Sequence, residues 1–426
     1  MFTSECEGIH MPAVIGKLHA GELVPMKDAE TGAHIVRLTA GKHVCHHIYP
    51  TMRATTGDGK FLLYFREVSG RRQLHAMNLD TGISLQLTAG KDVDDYHAAF
   101  SSDDRHVYYL QNNVLWRLDV RDLLRTHVYN PEPGWMMREF SFSDDERYLV
   151  SLETISSADI DTLSGLRDWS TFALGSLLAP RCRLVYVDIE SGNRRVLVDE
   201  DCWLGRPSIR PGDGNTVMYC HEGPYNMIDT RMWLVQSDGS DKRPCRNQDK
   251  DTVLTWEFWF PDGRQLGFLC WNVRDDKPEE LHAINPDTME ERILCTCPPF
   301  VHCSCSPDGR YIVGDTAGST KPVHLISAED AASAADDYIY LCDLHTGEQR
   351  RICHHGSSFL PKYGTVLDSE PHPVFARDGR SIIYVSDCGG IPSIYQVDLA
   401  RFLWEIEARE DESYAYGLAS TFGGKL

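Results

Sequence analysis

The chain lacks long apolar runs, a basic surplus and the short signatures of nucleotide or acyl chemistry, and each absence narrows what it can be. No stretch approaches the roughly 20 apolar residues that a membrane-spanning helix needs. The opening MFTSECEGIHMPAVIGK has no basic segment followed by an apolar core, so it does not read as an export signal. None of the 14 cysteines forms a CxxC pair, and a chain of 426 residues needs no disulfides to hold its core. Free thiols without an export signal point to the cytoplasm. With 42 Lys and Arg against 63 Asp and Glu, the net charge is −21. That argues against nucleic acid and anionic membrane as partners, since both need basic surface. It leaves room for a small anionic substrate in a pocket of local positive charge. No P-loop or dinucleotide fingerprint is present. A GxSxG elbow and a peptidase-sized second domain are also missing, which disfavours a serine hydrolase.

What the chain does have is repetition. A loop with Asp-Gly or Asp-Asp, a short apolar strand, a second strand and a polar turn recur seven times. The copies begin at Asp58, Asp103, Asp144, Asp213, Asp262, Asp308 and Asp378. Periods of roughly 40–50 residues with four strands each mark a β-propeller, whose units stack because none can bury its sheet alone. The reading is an all-β, seven-bladed propeller over residues 28–400, with a leader at 1–27 and a tail at 401–426 that is either helical or without structure. The alternating AHIVRLTA (33–40) is expected to complete the last blade and close the ring. Longer gaps at about 155–182 and 315–338, and the stretch 354–370, are expected as loops on one face, walling a site. The first gap should carry a short helix around Trp169, Phe172, Leu174 and Leu178.

The histidines are placed with purpose. His302 and His372 lie just ahead of the sixth and seventh repeats, at equivalent positions on strands nearest the axis. His46 and His47 precede the first repeat. Glu370 and His372, two apart on a strand, face the same side. Two imidazoles and a carboxylate with open positions suit Mn, Fe, Ni or Zn, against the plainer reading of strand-end polar residues with local hydrogen bonds. Arg231 is either a planar clamp for a carboxylate or a blade ion pair. Cys295, Cys297, Cys303 and Cys305 lack zinc-finger spacing and read as small core filler. His354 and His355 read as an exposed loop pair.

The run WLGRPSIRPGDGNTVMYCHEGPYNMIDTRMWLVQSDGSD (203–241), with CHHIYPTM (45–52), PPFVHCSCSPDG (298–309) and EPHPVF (370–375), resembles the oligogalacturonate lyases. Matching pieces run from about 28 to 400. The resemblance implies a cytoplasmic seven-bladed propeller that cleaves short uronate oligomers by β-elimination with a divalent metal such as Mn. Ni, Zn, Fe and Ca are alternatives. It implies metal ligands at His302 and His372, and an assisting Arg at Arg231. Two departures stand out. Glu370 replaces a family histidine and Leu367 a family glutamine. Trp256, in Thr-Trp-Glu-Phe-Trp, stands where the family has its base, and an indole cannot accept a proton.

The expected site is therefore a metal set of His302, Glu370 and His372, with Arg231, His221 and His46 as catalytic groups. His221 is the first choice of base, His46 the second and Glu370 the third. Trp256, as an exposed indole stacking on a sugar face, and His47 are expected to bind substrate. Three functions remain open: a metal-dependent lyase on uronate oligosaccharides, another metal enzyme such as an isomerase or hydrolase acting on a related sugar, and a binding propeller without catalysis. The last would pack Trp256 into a blocked mouth.

Overall fold

The computed structural model describes residues 14–68, 70–155, 181–275, 277–317, 336–360 and 369–406. Their strands form seven antiparallel sheets, five of four strands and two of five, which are the blades of a propeller. The first strands of blades I to VII are Cys45–His47, Val93–Phe100, Trp135–Phe142, Leu204–Ile209, Thr252–Trp259, Phe300–Cys305 and Val374–Phe375. In blades III to VII these first strands touch their neighbours in turn, so they surround the axis.

The repeated aspartate closes the loop between the first and second strands. Asp58 Oδ1 accepts from Thr56 Oγ1 at 2.7 Å and from the Lys60 N–H at 3.1 Å. Asp103 does the same with Ser101 and Arg105. Such a side chain replaces backbone partners that the turn leaves without bonds. The next residue takes the left-handed conformation, which explains the Asp-Gly pairs: Gly59 has φ 69° and Gly263 φ 67°. Asp104 and Glu146 take that conformation without being glycine. In the third copy the closing carboxylate is Asp145, one past the expected Asp144. Asp144 instead accepts from the Gly212 N–H of blade IV at 2.7 Å, and Asp104 likewise accepts from Gly57 of blade I at 2.8 Å.

Second strands are buried on both faces, as Tyr311–Thr316 and Ser381–Ser386 show, because apolar clusters fill the gap on either side of each sheet. One cluster joins Tyr108 and Leu110 of blade II to Phe140, Leu149 and Val185 of blade III. Each such side chain contributes about 1.5–3 kcal/mol on burial. Cys295, Cys297 and Cys303 belong to the cluster between blades V and VI, with Cys305 against it, and every described cysteine is a free thiol.

The ring is closed by the N-terminal segment. His34–Arg37 pairs with Ser393–Asp398 of blade VII, Ile35 opposite Val397, and Val24–Lys27 pairs outside it. Leu18–His19 adds a fifth strand to blade I through Ser84 and Leu85. Two strands thus lie ahead of residue 28. Residues 400–406 form a helix whose Phe402 and Ile406 pack into the core of blade VII. Among the described residues no helix is long and apolar enough to cross a membrane. The expected helix around Trp169 and most of the two long loops lie outside the described residues. The expected exposed histidine pair is not one. His355 is buried, with Nε2 2.8 Å from Thr316 O, and the Nδ1 of His354 is 3.0 Å from Asp28 Oδ2.

Two turn glycines separate backbone strain from crowding. A Cβ on Gly379 would meet nothing within 4 Å, whereas one on Gly263 would lie 2.2 Å from Pro211 O. Gly379→Ala is expected to cost ~1–2 kcal/mol for the left-handed backbone alone, and Gly263→Ala distinctly more. Denaturant unfolding of both variants measures the difference; equal losses would remove the crowding argument.

Candidate active site

The first strands are irregular at one common depth. Register shifts fall between Val93 and Ala98 in blade II, Met137 and Glu139 in III, Gly205 and Ser208 in IV, Thr255 and Phe258 in V, and Phe300 and His302 in VI. A bulge re-aims the side chains it carries. Arg206 (φ 54°), Trp256 (φ 57°) and His372 (φ 46°) are left-handed without being glycine. Such strain costs about 1–3 kcal/mol per residue and collects at functional sites. The sequence encodes this depth. His97, Glu139, Trp256, His302 and His372 each lie six residues ahead of their loop-closing Asp103, Asp145, Asp262, Asp308 and Asp378, and Arg206 lies seven ahead of Asp213.

His302, Glu370 and His372 meet there. One donor atom from each lies within 4.8 Å of the others, and all three residues are buried. Glu370 Oε2 is 3.5 Å from His302 Nε2 and 3.6 Å from His372 Nε2, and the two imidazole centroids are 3.9 Å apart. Asp315, itself buried, holds His302 Nδ1 at 2.8 Å and so aims Nε2 at Glu370. That is the outer-shell arrangement of a metal-ligating histidine. Burial opposes charge on His302, but Asp315 and then Glu370 push it up to about 9. Burial, reinforced by His302 and His47, holds His372 well below the usual imidazole range. Neither oxygen of Glu370, 1% exposed, has a hydrogen-bond partner. A buried carboxylate in that state is costly, and the donor set around it fits a divalent cation.

Trp256 is buried, 7% exposed, rather than open to a sugar. Its ring meets His302 edge-on at 5.0 Å, and the Arg206 guanidinium lies 4.5 Å over it. Tyr49 stands between these groups, its ring 6.4 Å from Trp256, 6.2 Å from His372 and 6.0 Å from His97. Burial pushes its phenol up to about 12, with Arg206 opposing. His47 Nδ1 is 2.6 Å from Ile48 O, and the carbonyls of Pro371 and His372 face its ring. His46 lines a small cavity with His47, Tyr49, Tyr96 and His372, but its Nε2 is 2.8 Å from Arg72 Nη1. That bond occupies the lone pair a base needs.

His221 is elsewhere. It lies on the second strand of blade IV, stacks 5.0 Å from Trp233 and clusters with Glu200 and Cys202, its Nε2 2.9 Å from Glu200 Oε2. The expected first-choice base is therefore not grouped with His302, Glu370 and His372. Arg231 is buried and already clamped: Nη1 donates to Glu222 Oε2 at 2.9 Å, Nη2 to Glu222 Oε1 at 3.1 Å and to Glu257 Oε2 at 3.3 Å, and Nε donates to Glu257 Oε1. Burial disfavours charge on Glu257, yet Arg231 and Arg206 hold its carboxyl below the usual range. Residue-by-residue reasoning missed Arg206, Tyr49, Glu139, His97 and Asp315. Counting back from each loop aspartate finds two of these, Glu139 and His97. Leu367 lies outside the described residues.

The family model for oligogalacturonate lyase matches residues 16–402. The oligogalacturonide lyase of Pectobacterium atrosepticum is 32% identical over 380 residues, 89% of this chain and 96% of that protein. The oligogalacturonate lyase of Dickeya dadantii is 30% identical over 381 residues, with the same coverage. A solved oligogalacturonate lyase in complex with manganese has a TM-score of 0.82 at 29% identity, covering 92% of this chain and all (100%) of that one. An oligogalacturonate lyase from Vibrio parahaemolyticus has a TM-score of 0.80 at 30% identity, covering 91% and 99%. By the span of the family match and by this identity to its curated members, the chain belongs to the oligogalacturonate lyase family.

Proposed function

We propose that this protein is a metal-dependent lyase that cleaves short uronate oligomers by β-elimination, with His302, Glu370 and His372 holding a divalent cation, manganese foremost. The observation that carries the reading is the buried, unbonded carboxylate of Glu370 between two imidazoles. Family membership supplies the reaction class and the kind of substrate, a small anionic oligosaccharide. A divalent cation held by His302, Glu370 and His372 would supply Lewis acidity toward the uronate carboxylate, where β-elimination develops charge. His302, aimed by Asp315, and His372, kept neutral by burial, both present imidazole nitrogens at that point.

Trp256 has no basic atom, so proton removal falls to another group of the mouth. In this reading it is His97, whose Nδ1 is 3.0 Å from Asp94 Oδ1. That carboxylate stabilises the imidazolium that forms, the usual pairing of a base with its orienting group. Burial opposes charge on Asp94, but His97 and two backbone N–H bonds hold its carboxyl far below the usual range.

The burial of Trp256 favours a second reading, a propeller that binds a uronate oligomer without cleaving it. The ultraviolet absorbance of the unsaturated product decides between them. With tri- and digalacturonate and added manganese, absorbance should rise, stop with chelator and return with the metal. No rise from protein carrying stoichiometric metal would sink the lyase reading. His97→Gln should lower kcat by ~10²–10⁴-fold, the contribution of a positioned general base; unchanged kcat would move the base elsewhere.

Two further variants test the metal set without turnover. Asp315→Asn should weaken metal affinity ~10–100-fold, as loss of an orienting outer-shell carboxylate does, measured by competition with a chelator. Glu370→Gln should raise the melting temperature of metal-free protein by removing a buried carboxylate that has no hydrogen bond, while abolishing stoichiometric metal. A lowered melting temperature would show that Glu370 is already compensated within the fold.

A further inference from the structure

The guanidinium best placed to receive a substrate carboxylate is not Arg231. Arg231 spends its fork on Glu222 and Glu257. We infer that Arg206 grips the uronate carboxylate of the substrate and sets the preference for the free acid. This inference rests on the proposed action on uronate oligomers.

Four observations meet at Arg206. Its Nη1 is buried and has no hydrogen-bond partner. Its Nε is 3.6 Å from both Glu222 Oε1 and Glu257 Oε2, within ion-pair distance but beyond hydrogen-bonding range, so these carboxylates balance its charge without taking up its Nη1 donor. The guanidinium lies 4.5 Å over the Trp256 indole, whose π face holds a planar cation flat. Its backbone is left-handed at a bulge, with its N–H fixed 3.0 Å from Glu139 Oε2 of the neighbouring blade. An unpaired donor, a strained backbone and a dedicated stacking partner at one residue all disfavour the folded state on their own or serve to fix a side chain. A ligand that pairs the donor accounts for all of them.

The direction is set by Trp256. The indole carrying Arg206 on its face touches the metal donor His302 at its edge, 5.0 Å away. Arg206 on blade IV and His302 on blade VI therefore flank the buried indole of blade V. An acidic sugar in the mouth between them brings its charge to a guanidinium that can pair two oxygens at once, which a neutral ester cannot match.

The plainer role for Arg206 is counter-charge to Glu222 and Glu257. The two roles differ in one measurement: binding of galacturonic acid and of its methyl ester, neither of which has a glycosidic bond to eliminate. Wild type and Arg206→Gln, both loaded with manganese, are titrated by calorimetry, with circular dichroism and metal content as controls. Arg206→Gln is expected to weaken the acid by roughly 10- to 100-fold, the share of a charge-assisted pair, and to leave the ester unchanged. Arg206→Lys should fall between. Equal weakening of acid and ester, or none of either, would overturn the inference and leave the counter-charge role. If wild type itself does not prefer the acid, both this inference and the uronate reading fail; if it does and Arg206→Gln keeps the preference, only Arg206 fails. Should Arg206→Gln not fold, the acid-to-ester ratio of Arg206→Lys is read in the same way.

Discussion

Closure of the ring is the constraint on which everything else rests. His34–Arg37 lies between Val24–Lys27 and Ser393–Asp398, the last of the described strands, so blade VII is finished by a segment far earlier in sequence. Without that pairing its last strand is an open edge, and an open edge is a liability in any β protein. The same pairing sets blade I against blade VII. That contact puts His47 beside the backbone of Pro371 and His372. The mouth is thus a property of the closed molecule, since no blade alone contributes more than a few of its side chains.

Within that frame the electrostatics divide the mouth in two. On blades IV and V, two guanidiniums and two carboxylates balance, and Arg231 locks both acids. On blades VI and VII, Asp315 is paired with His302 while Glu370 is left over. One half is therefore balanced in charge, with one Arg206 donor left over, and the other carries an excess carboxylate. Trp256 separates them, with Arg206 on its face and His302 at its edge. The indole occupies the position at which family resemblance places the base. Its size and its contacts fix the spacing between the two halves.

The architecture was legible because local physics writes it into residue types. An aspartate that closes a loop, a left-handed residue after it and a doubly buried strand recur in each blade, and each has its own sequence signal. The positions of His302 and His372 were legible for the same reason, since both sit six residues ahead of that loop's aspartate; Glu370 lies eight ahead, before the strand Val374–Phe375 and not on it, and meets them without the strand alternation expected of it. What could not be read were contacts made across blades. Arg206 owes its place to Glu139 on one side and Trp256 on the other. His221 shares its loop region with Arg231, yet strand alternation turns its ring toward Trp233 and Glu200. Arg231 read equally well as a ligand clamp or an internal pair, and only the positions of Glu222 and Glu257 show how fully it is engaged.

The three donors of the proposed metal set come from two blades, His302 ahead of one loop aspartate and Glu370 and His372 ahead of the next. An unfolded chain brings them together only at a loop-closure cost, so it offers a cation no comparable site. Whatever free energy an ion gains there accrues to the closed ring alone and grows with the logarithm of its free concentration. Occupancy of the proposed site would then be set after folding, by the ions the finished propeller meets. The same sequence would carry different metals, with different resistance to unfolding, in surroundings of different ionic supply.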